Sequence, residues 1–404
     1  MGWNPVPDDQ RALNLKLPTP GTTVTPGRCL ELCFDVALKG VGMVGKNPMV
    51  GAVAVDENHR FLGFGAHLKD GEAHAEANLI KTLQRNGVSQ SDMKKMTVYC
   101  SLEPCSFQGR TPSCAGLLGS FPVKTLIYGQ LDSHKRVQGT GISMLESRGV
   151  TCSRAQDFRE EMGFLSERSL WYHQTKRPFV GLKVASCLDG SYALEKVGGL
   201  PVTGKRARNY GHWLRQVYDA IMVGADTVIA DNPSLDVRVP VSGELACPTP
   251  VVLDLNGRAL RSRPLAEMNL LKSPGRKVLW FLAERVLKEI NIKEIRKEVP
   301  EGQLEIVPLA KENRLVDVSD VLTSLGAKGL TSLLLEGGAG VWSGFLSEGL
   351  VQRLHFFQSM NVTGKSGLSW SRGLDDSVPG PSASRVRITP LGDDILIEGR
   401  MPQS

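Results

Sequence analysis

The chain has 404 residues, is 41% hydrophobic and 22% charged, and carries a formal net charge of +6, a balance that suits a globular protein of about two domains. It contains no run of about 18 uninterrupted apolar residues, which excludes an ordinary membrane-spanning helix. The mild positive charge includes no lysine or arginine run, so neither a nucleic-acid nor a membrane partner is expected.

Segment 1–25 reads as a flexible tail. Its Pro and Asp residues deny it the apolar core of a secretory signal, and Val6 stands where a myristoylation pattern needs Ser or Thr. Eight cysteines spread over the whole chain, without such a signal, point to a reducing compartment and a cytoplasmic protein.

From Thr25 the pattern alternates. A helix "CLELCFDVALKG" leads through the loop "VGKNPMVG" to strands "AVAVD" and "RFLGFGAH", and then to a helix opening in "GEAHAEANLIKTL". Strand "MTVYCSL", loop "EPCSFQGRTPSC", helix "AGLLGS", strand "KTLIYG" and helix "GISMLESRGV" follow, and a helical stretch covers 157–174. Residues 26–172 therefore read as a layered α/β domain.

The turn-like "TKRPF" marks a boundary, and 173–404 reads as a second α/β domain. Its strands are "VGLKVAS", "AIMVGAD", "PVVLDL", "KVLWFLA", "LEIVPLA", "SLLLEGG", "RLHFF" and "DDILIEGR", interrupted by helical segments at 204–216 and 321–326. Such alternation predicts a mainly parallel sheet. "GKSGLSWSRGLDDSVPGPSAS" reads as a long mobile loop.

A catalytic zinc takes three protein ligands, drawn here from His and thiolate, and leaves a fourth position for water. His74 in "HAE", with Cys105 and Cys114 of the loop before the next helix, supplies three. A helix N-terminus favours the thiolate form. Residues two apart lie about 200° apart around a helix, so His74 and Glu76 can serve one site only from the first turn. There the carboxylate can shuttle the proton of an acidified water.

Taken alone, the two residues would be solvated polar groups. A structural zinc knuckle would want a fourth ligand, for which Cys100 is a candidate inside an apparent strand. The order His, Glu, Pro104, Cys105, Cys114 is that of the zinc nucleobase deaminases, except that eight residues separate the cysteines.

"LEPCSFQGRTPSCAGLL", "NPMVGAVAVD" and "HLKDGEAHAE" resemble the N-terminal domain of the bifunctional riboflavin biosynthesis family RibD. The resemblance implies a cytidine-deaminase-like fold, zinc on His74, Cys105 and Cys114, and Glu76 as proton donor. The substrate class it implies is a small phosphorylated pyrimidine: a diaminopyrimidinone with a phosphoribosylamino group, deaminated hydrolytically to the uracil.

In the second half, "LLLEGGAGVWSGFL" offers strand, glycine turn and helix, whose amides can cradle phosphate or serve only packing. Together with "RPFVGLKVASCLDGSYAL" and "DAIMVGADTVIADNPSLDVR", it is similar to the reductase domain of the same family. That implies a dihydrofolate-reductase-like α/β fold that uses NADPH to reduce the ribose to a ribityl chain. Carried over by motif, Ala185, Thr227, Asp231, Gly338, Ala339 and Gly340 would contact NADPH. Arg215, Leu235, Arg238 and Glu336 would contact substrate. In "GGLPVTG", Gly199 replaces a family serine and Pro201 a tryptophan, so the alternative is a deaminase whose second domain is a scaffold. A homo-oligomer is expected.

Overall fold

The computed structural model describes residues 16–107, 113–132, 138–155, 159–194, 202–238, 246–310, 318–364, 367–374 and 380–402. Most of the expected tail, and Gly199 and Pro201, lie outside these residues. The chain forms two compact units, one built on the residues up to Thr175 and the other on those from Lys176 onward. Among the described residues, no helix is long and apolar enough to cross a membrane.

In the first unit, strands β1 (Gly51–Val55), β2 (Phe61–Ala66), β3 (Thr97–Leu102), β4 (Thr125–Gln130) and β5 (Thr151–Arg154) form a sheet in the order β2-β1-β3-β4-β5. β1 runs antiparallel to both β2 and β3, whereas β3, β4 and β5 are parallel. Every residue of β1 is buried, because helices cover both faces of the sheet. Leu79, Ile80, Leu83, Val98, Leu118 and Leu126 share one core cluster, and Cys29, Leu32, Val53, Val55 and Tyr99 share another. The thiols of Cys29, Cys33 and Cys100 are buried there, and burial raises the pKa of each.

The helix expected at 141–150 is shorter than its sequence suggests. It spans Thr140–Glu146, and the residues after it turn into β5. This strand escapes a periodicity argument because it is a short polar edge strand with no fully buried face.

In the second unit, a nine-stranded sheet has the order β11-β10-β9-β8-β12-β6-β13-β16-β15. Its members are β6 (Phe179–Ser186), β8 (Ala220–Gly224), β9 (Thr249–Leu253), β10 (Val278–Ala283), β11 (Leu304–Leu309), β12 (Ser332–Gly337), β13 (Arg353–Gln358), β15 (Ser384–Leu391) and β16 (Asp394–Arg400). β6 and β8 to β13 are mutually parallel, and β16 and β15 add antiparallel pairs. Fully buried runs such as "VLWFLA" in β10 are what a parallel sheet covered on both faces requires.

"AIMVGAD" does not remain a strand throughout, because the helix Ala225–Asp231 starts inside it. The expected loop at 364–384 contributes β14 (Gly367–Ser369), which pairs with β7 (Ser191–Leu194). Gly and Ser composition hid that strand, since its only support is a partner far away in sequence.

One close approach fixes the helix that carries the candidate zinc chemistry. A Cβ on Gly65 of β2 would lie 2.1 Å from the Ala75 carbonyl oxygen and 2.2 Å from the Leu79 amide nitrogen. Both obstacles are backbone, so neither can rotate away. Gly65→Ala should therefore destabilise the protein by about 1–3 kcal/mol, measured as a lowered midpoint in urea unfolding. An unchanged midpoint would show that the helix can shift freely.

Candidate active sites

The helix Ala75–Arg85 takes His74 as its N-cap, with extended φ −70° and ψ 167° and no capping bond from the side chain. The ring is thereby free to turn toward the cysteines. Cys114 opens the helix Cys114–Ser120, whose cap is Ser113, its Oγ accepting from the Gly116 amide at 3.0 Å. Cys105 leaves β3 and is tied to that helix start: its carbonyl accepts from the Ala115 amide at 3.0 Å, and its Sγ lies 3.4 Å from the Cys114 amide.

His74 Nδ1 sits 3.3 Å from Cys114 Sγ and 3.8 Å from Cys105 Sγ. The three ligand atoms all lie within 4.8 Å of one another, so one ion between them would touch all three. One imidazole and two thiols form a donor set suited to zinc. The hydrogen bond from Cys114 lowers the pKa of Cys105, with help from His74, while that same bond and burial raise Cys114. Cys105 is thus held toward the thiolate form and Cys114 toward the thiol.

Glu76 follows in the first helical turn and is only 3% exposed. Burial is the main cause that raises its pKa, and nearby Cys105 adds to it. A carboxyl tuned upward beside a metal-ligating cluster suits proton exchange.

Three residues around this cluster, His67, Asn47 and Glu103, were not evident from spacing. The ring of His67 stands edge-on to His74 with centroids 5.2 Å apart. Its Nδ1 lies 3.2 Å from the Ala73 carbonyl oxygen, and its Nε2 lies 3.3 Å from Asn47 Nδ2. A carbonyl only accepts, so Nδ1 carries the proton and Nε2 accepts from Asn47. Burial lowers the pKa of His67 and favours that neutral ring. Glu103 is buried just before Pro104 and Cys105, and it accepts the amides of Asp132 at 3.2 Å, Gly139 at 3.0 Å and Gly141 at 3.0 Å. Its place next to the candidate ligand Cys105 was the available signal.

In the second unit, the residues expected at the cofactor lie at or just beyond the carboxyl ends of neighbouring parallel strands. Ala185 is near the end of β6, Thr227 lies in the first turn of the helix after β8, and Gly338 follows β12. Gly338 has φ +82°, a left-handed value that suits glycine. It caps the helix Ala339–Ser347. A Cβ on Gly337 would come within 2.8 Å of Thr227 Oγ1, and one on Gly340 would meet open space. The turn is therefore closed on the Thr227 side and open at Gly340, where the first helical amides begin. That arrangement fits a dinucleotide phosphate. Asp231 closes its helix as an exposed residue.

The expected substrate residues behave differently from one another. Arg215, on the helix Lys205–Val217, grips Glu336 of β12 with two bonds of 2.7 Å, and its Nη1 donates to the Asp236 carbonyl at 2.9 Å. Its guanidinium is thus directed at protein groups, which argues against a phosphate grip. The pair is largely enclosed; desolvation pushes Glu336 up, but Arg215 and then Lys183 outweigh it and hold the carboxyl down to about 2. Lys183 itself is pushed down by burial. Arg238 is 66% exposed and, among the described residues, forms one ion pair, a 3.4 Å contact to Asp236 Oδ1. The Leu235 side chain is in the core at 2% exposure, so any substrate contact from that residue falls to its backbone.

Two family models match the chain: the cytidine and deoxycytidylate deaminase zinc-binding region over residues 26–130, and the RibD C-terminal domain over residues 178–397. The riboflavin biosynthesis protein RibD of Bacillus amyloliquefaciens is 31% identical, covering 91% of this chain and 94% of that protein. That of Actinobacillus pleuropneumoniae is also 31% identical, covering 93% and 95%. Among solved structures, the diaminohydroxyphosphoribosylaminopyrimidine deaminase/5-amino-6-(5-phosphoribosylamino)uracil reductase of Thermotoga maritima is 30% identical with a TM-score of 0.76, covering 93% of this chain and 98% of its own. Acinetobacter baumannii RibD is 26% identical with a TM-score of 0.75 and the same coverage.

The Arg215–Glu336 pair has a pH signature. The folded pKa of Glu336 is depressed to about 2 from an ordinary 4.5, so its stabilising contribution is complete above the ordinary value and is lost as pH falls toward the folded one. Wild type should exceed Glu336→Gln in urea stability at neutral pH, and the gap should close as pH is lowered through this window. A gap independent of pH would show that the pair is not ionised.

Proposed function

The chain belongs to the RibD family of riboflavin biosynthesis enzymes, and we propose that its two activities, deaminase and reductase, reside in one site in each unit. The observation that carries the first is the convergence of His74, Cys105 and Cys114 beside the buried Glu76.

The deaminase unit is zinc-dependent, and these three side chains would hold the metal. Zinc, when bound, acidifies water at neutral pH and so supplies the nucleophile. Glu76 takes one proton from the attacking water and passes it to the ring nitrogen, then takes the second from the hydroxyl left on the ring carbon and passes it to the departing amine. Its raised pKa suits both directions. Ammonia leaves a diaminopyrimidinone carrying a phosphoribosylamino group, and the corresponding uracil remains. Neutral His67, held by Asn47 and the Ala73 carbonyl, keeps the His74 ring in its plane.

The reductase unit takes that uracil and opens its ribose to a ribityl chain, with NADPH supplying the hydride when bound. The amides at the start of Ala339–Ser347 would hold the cofactor phosphates, and Thr227 supports the turn. Glu336 stays charged and can accept hydrogen bonds from sugar hydroxyls, with Arg215 fixing its orientation. Exposed Arg238 is suited to the substrate phosphate. The thiol ligands need a reducing environment, which favours the cytoplasm.

Metal analysis of purified protein should find about one zinc per chain. Glu76→Gln should keep the zinc and lose ammonia release by about 10²–10⁴-fold; normal turnover would remove Glu76 from the proton path. For the other unit, the deaminated phosphoribosyl compound should drive loss of NADPH absorbance. No loss alongside intact ammonia release would leave a deaminase with an inactive second unit.

A further inference from the structure

Between Asn232 and Arg238 the backbone twice enters the left-handed region, at Asn232 with φ 43° and at Leu235 with φ 52°. Asparagine tolerates that conformation, and its side chain is locally engaged, accepting from the Asn269 amide at 3.0 Å. Leucine does not tolerate it well. A non-glycine residue persists there only where its surroundings over-determine it, and such strain gathers at functional sites.

Two things hold Leu235. Its side chain lies in the core cluster that includes Ile221, Val252 and Trp280. Its carbonyl accepts from Arg276, which lies just before β10. The same guanidinium donates to the Ser234 carbonyl at 2.7 Å and to the Pro248 carbonyl at 2.8 and 3.0 Å. Arg276 thus gathers three carbonyls from two separate stretches of chain, a task suited to a planar group with donors on both edges.

The residues directly after Leu235 build the candidate substrate pocket. The Asp236 carbonyl receives Arg215, which in turn orients Glu336. The Asp236 carboxylate takes Ser234 Oγ at 2.7 Å and faces Arg238 Nε at 3.4 Å. A change of φ at Leu235 would swing all of these together.

We propose that Arg276 is a positioning residue for the reductase reaction. By gripping the carbonyls of Ser234, Leu235 and Pro248, it fixes left-handed Leu235 and so sets where Arg238 and the Arg215–Glu336 pair meet the phosphoribosyl substrate. Arg276 does not itself touch that substrate. The inference rests on the reading of this pocket as the substrate site, and the test separates the two.

In the full-length zinc-loaded enzyme, Arg276→Ala and Arg276→Lys are compared with wild type and Arg238→Ala, well below their unfolding temperatures. The substrates are the deaminated phosphoribosyl compound and NADPH. Arg276→Ala should raise KM for the phosphoribosyl compound by about tenfold or more, as expected for loss of hydrogen bonds from a charged donor. The Kd for NADPH, read from protein fluorescence, and ammonia release by the other unit should stay at wild-type values. Arg276→Lys keeps the charge but not the planar fork, so it should fall between, and it carries the test if the alanine variant does not fold. If both Arg276 variants lower only the unfolding temperature, or weaken NADPH and substrate equally, Arg276 is structural and the proposal is overturned. If Arg238→Ala leaves KM unchanged, the pocket assignment itself fails.

Discussion

A parallel strand cannot return to its neighbour by a hairpin. Each must be followed by a crossover, so every loop that leaves such a strand emerges at the same edge of the sheet. This constraint locates the candidate sites in both units. Cys105 leaves β3 where that strand runs parallel to β4, and the segment caught by Glu103 leaves β4 at the same edge. Ala185, Thr227, Glu336 and Gly338 stand at or near the carboxyl ends of β6, β8 and β12. Helix N-termini collect there too, and their free amides and dipoles favour thiolates in one unit and phosphates in the other.

Two buried carboxyl groups show how the same burial yields opposite tuning. Among the described residues no guanidinium acts on Glu76, and desolvation raises its pKa. Glu336 is as enclosed, but Arg215 meets it with two parallel hydrogen bonds, and the Coulomb attraction outweighs desolvation. One group is thereby suited to exchange a proton and the other to remain an anion that organises hydroxyl groups. Neutral His67, held between a carbonyl and Asn47, is a third outcome of burial, in which hydrogen bonds fix one tautomer.

Residue type and spacing made much of the first unit legible. H-x-E, Pro104-Cys105 and Cys114 carry their meaning in ligand chemistry, and a helix start is the one place where residues two apart can face one site. The apolar runs of β1, β6, β8, β10 and β12 announced a buried sheet, since nothing else would keep such runs from water. The small strands were not legible. β5, β7, β14 and β15 are short, polar or at an edge; β5, β7 and β14 depend on partners distant along the chain, and β15 is an edge strand paired by hairpin with β16.

The grouping of His74, Cys105 and Cys114 with Glu76 beside them, the glycine turn and the layered α/β class could all be read from the chain alone, because each follows from local chemistry or local period. Three-dimensional packing was needed to direct Arg215 at Glu336 and Asp236, to place the Leu235 side chain in the core, and to set Arg276 against a left-handed leucine. Those outcomes depend on which groups are brought together after burial. A guanidinium in a sequence shows what it can bind, and the fold alone selects which acceptor reaches it first.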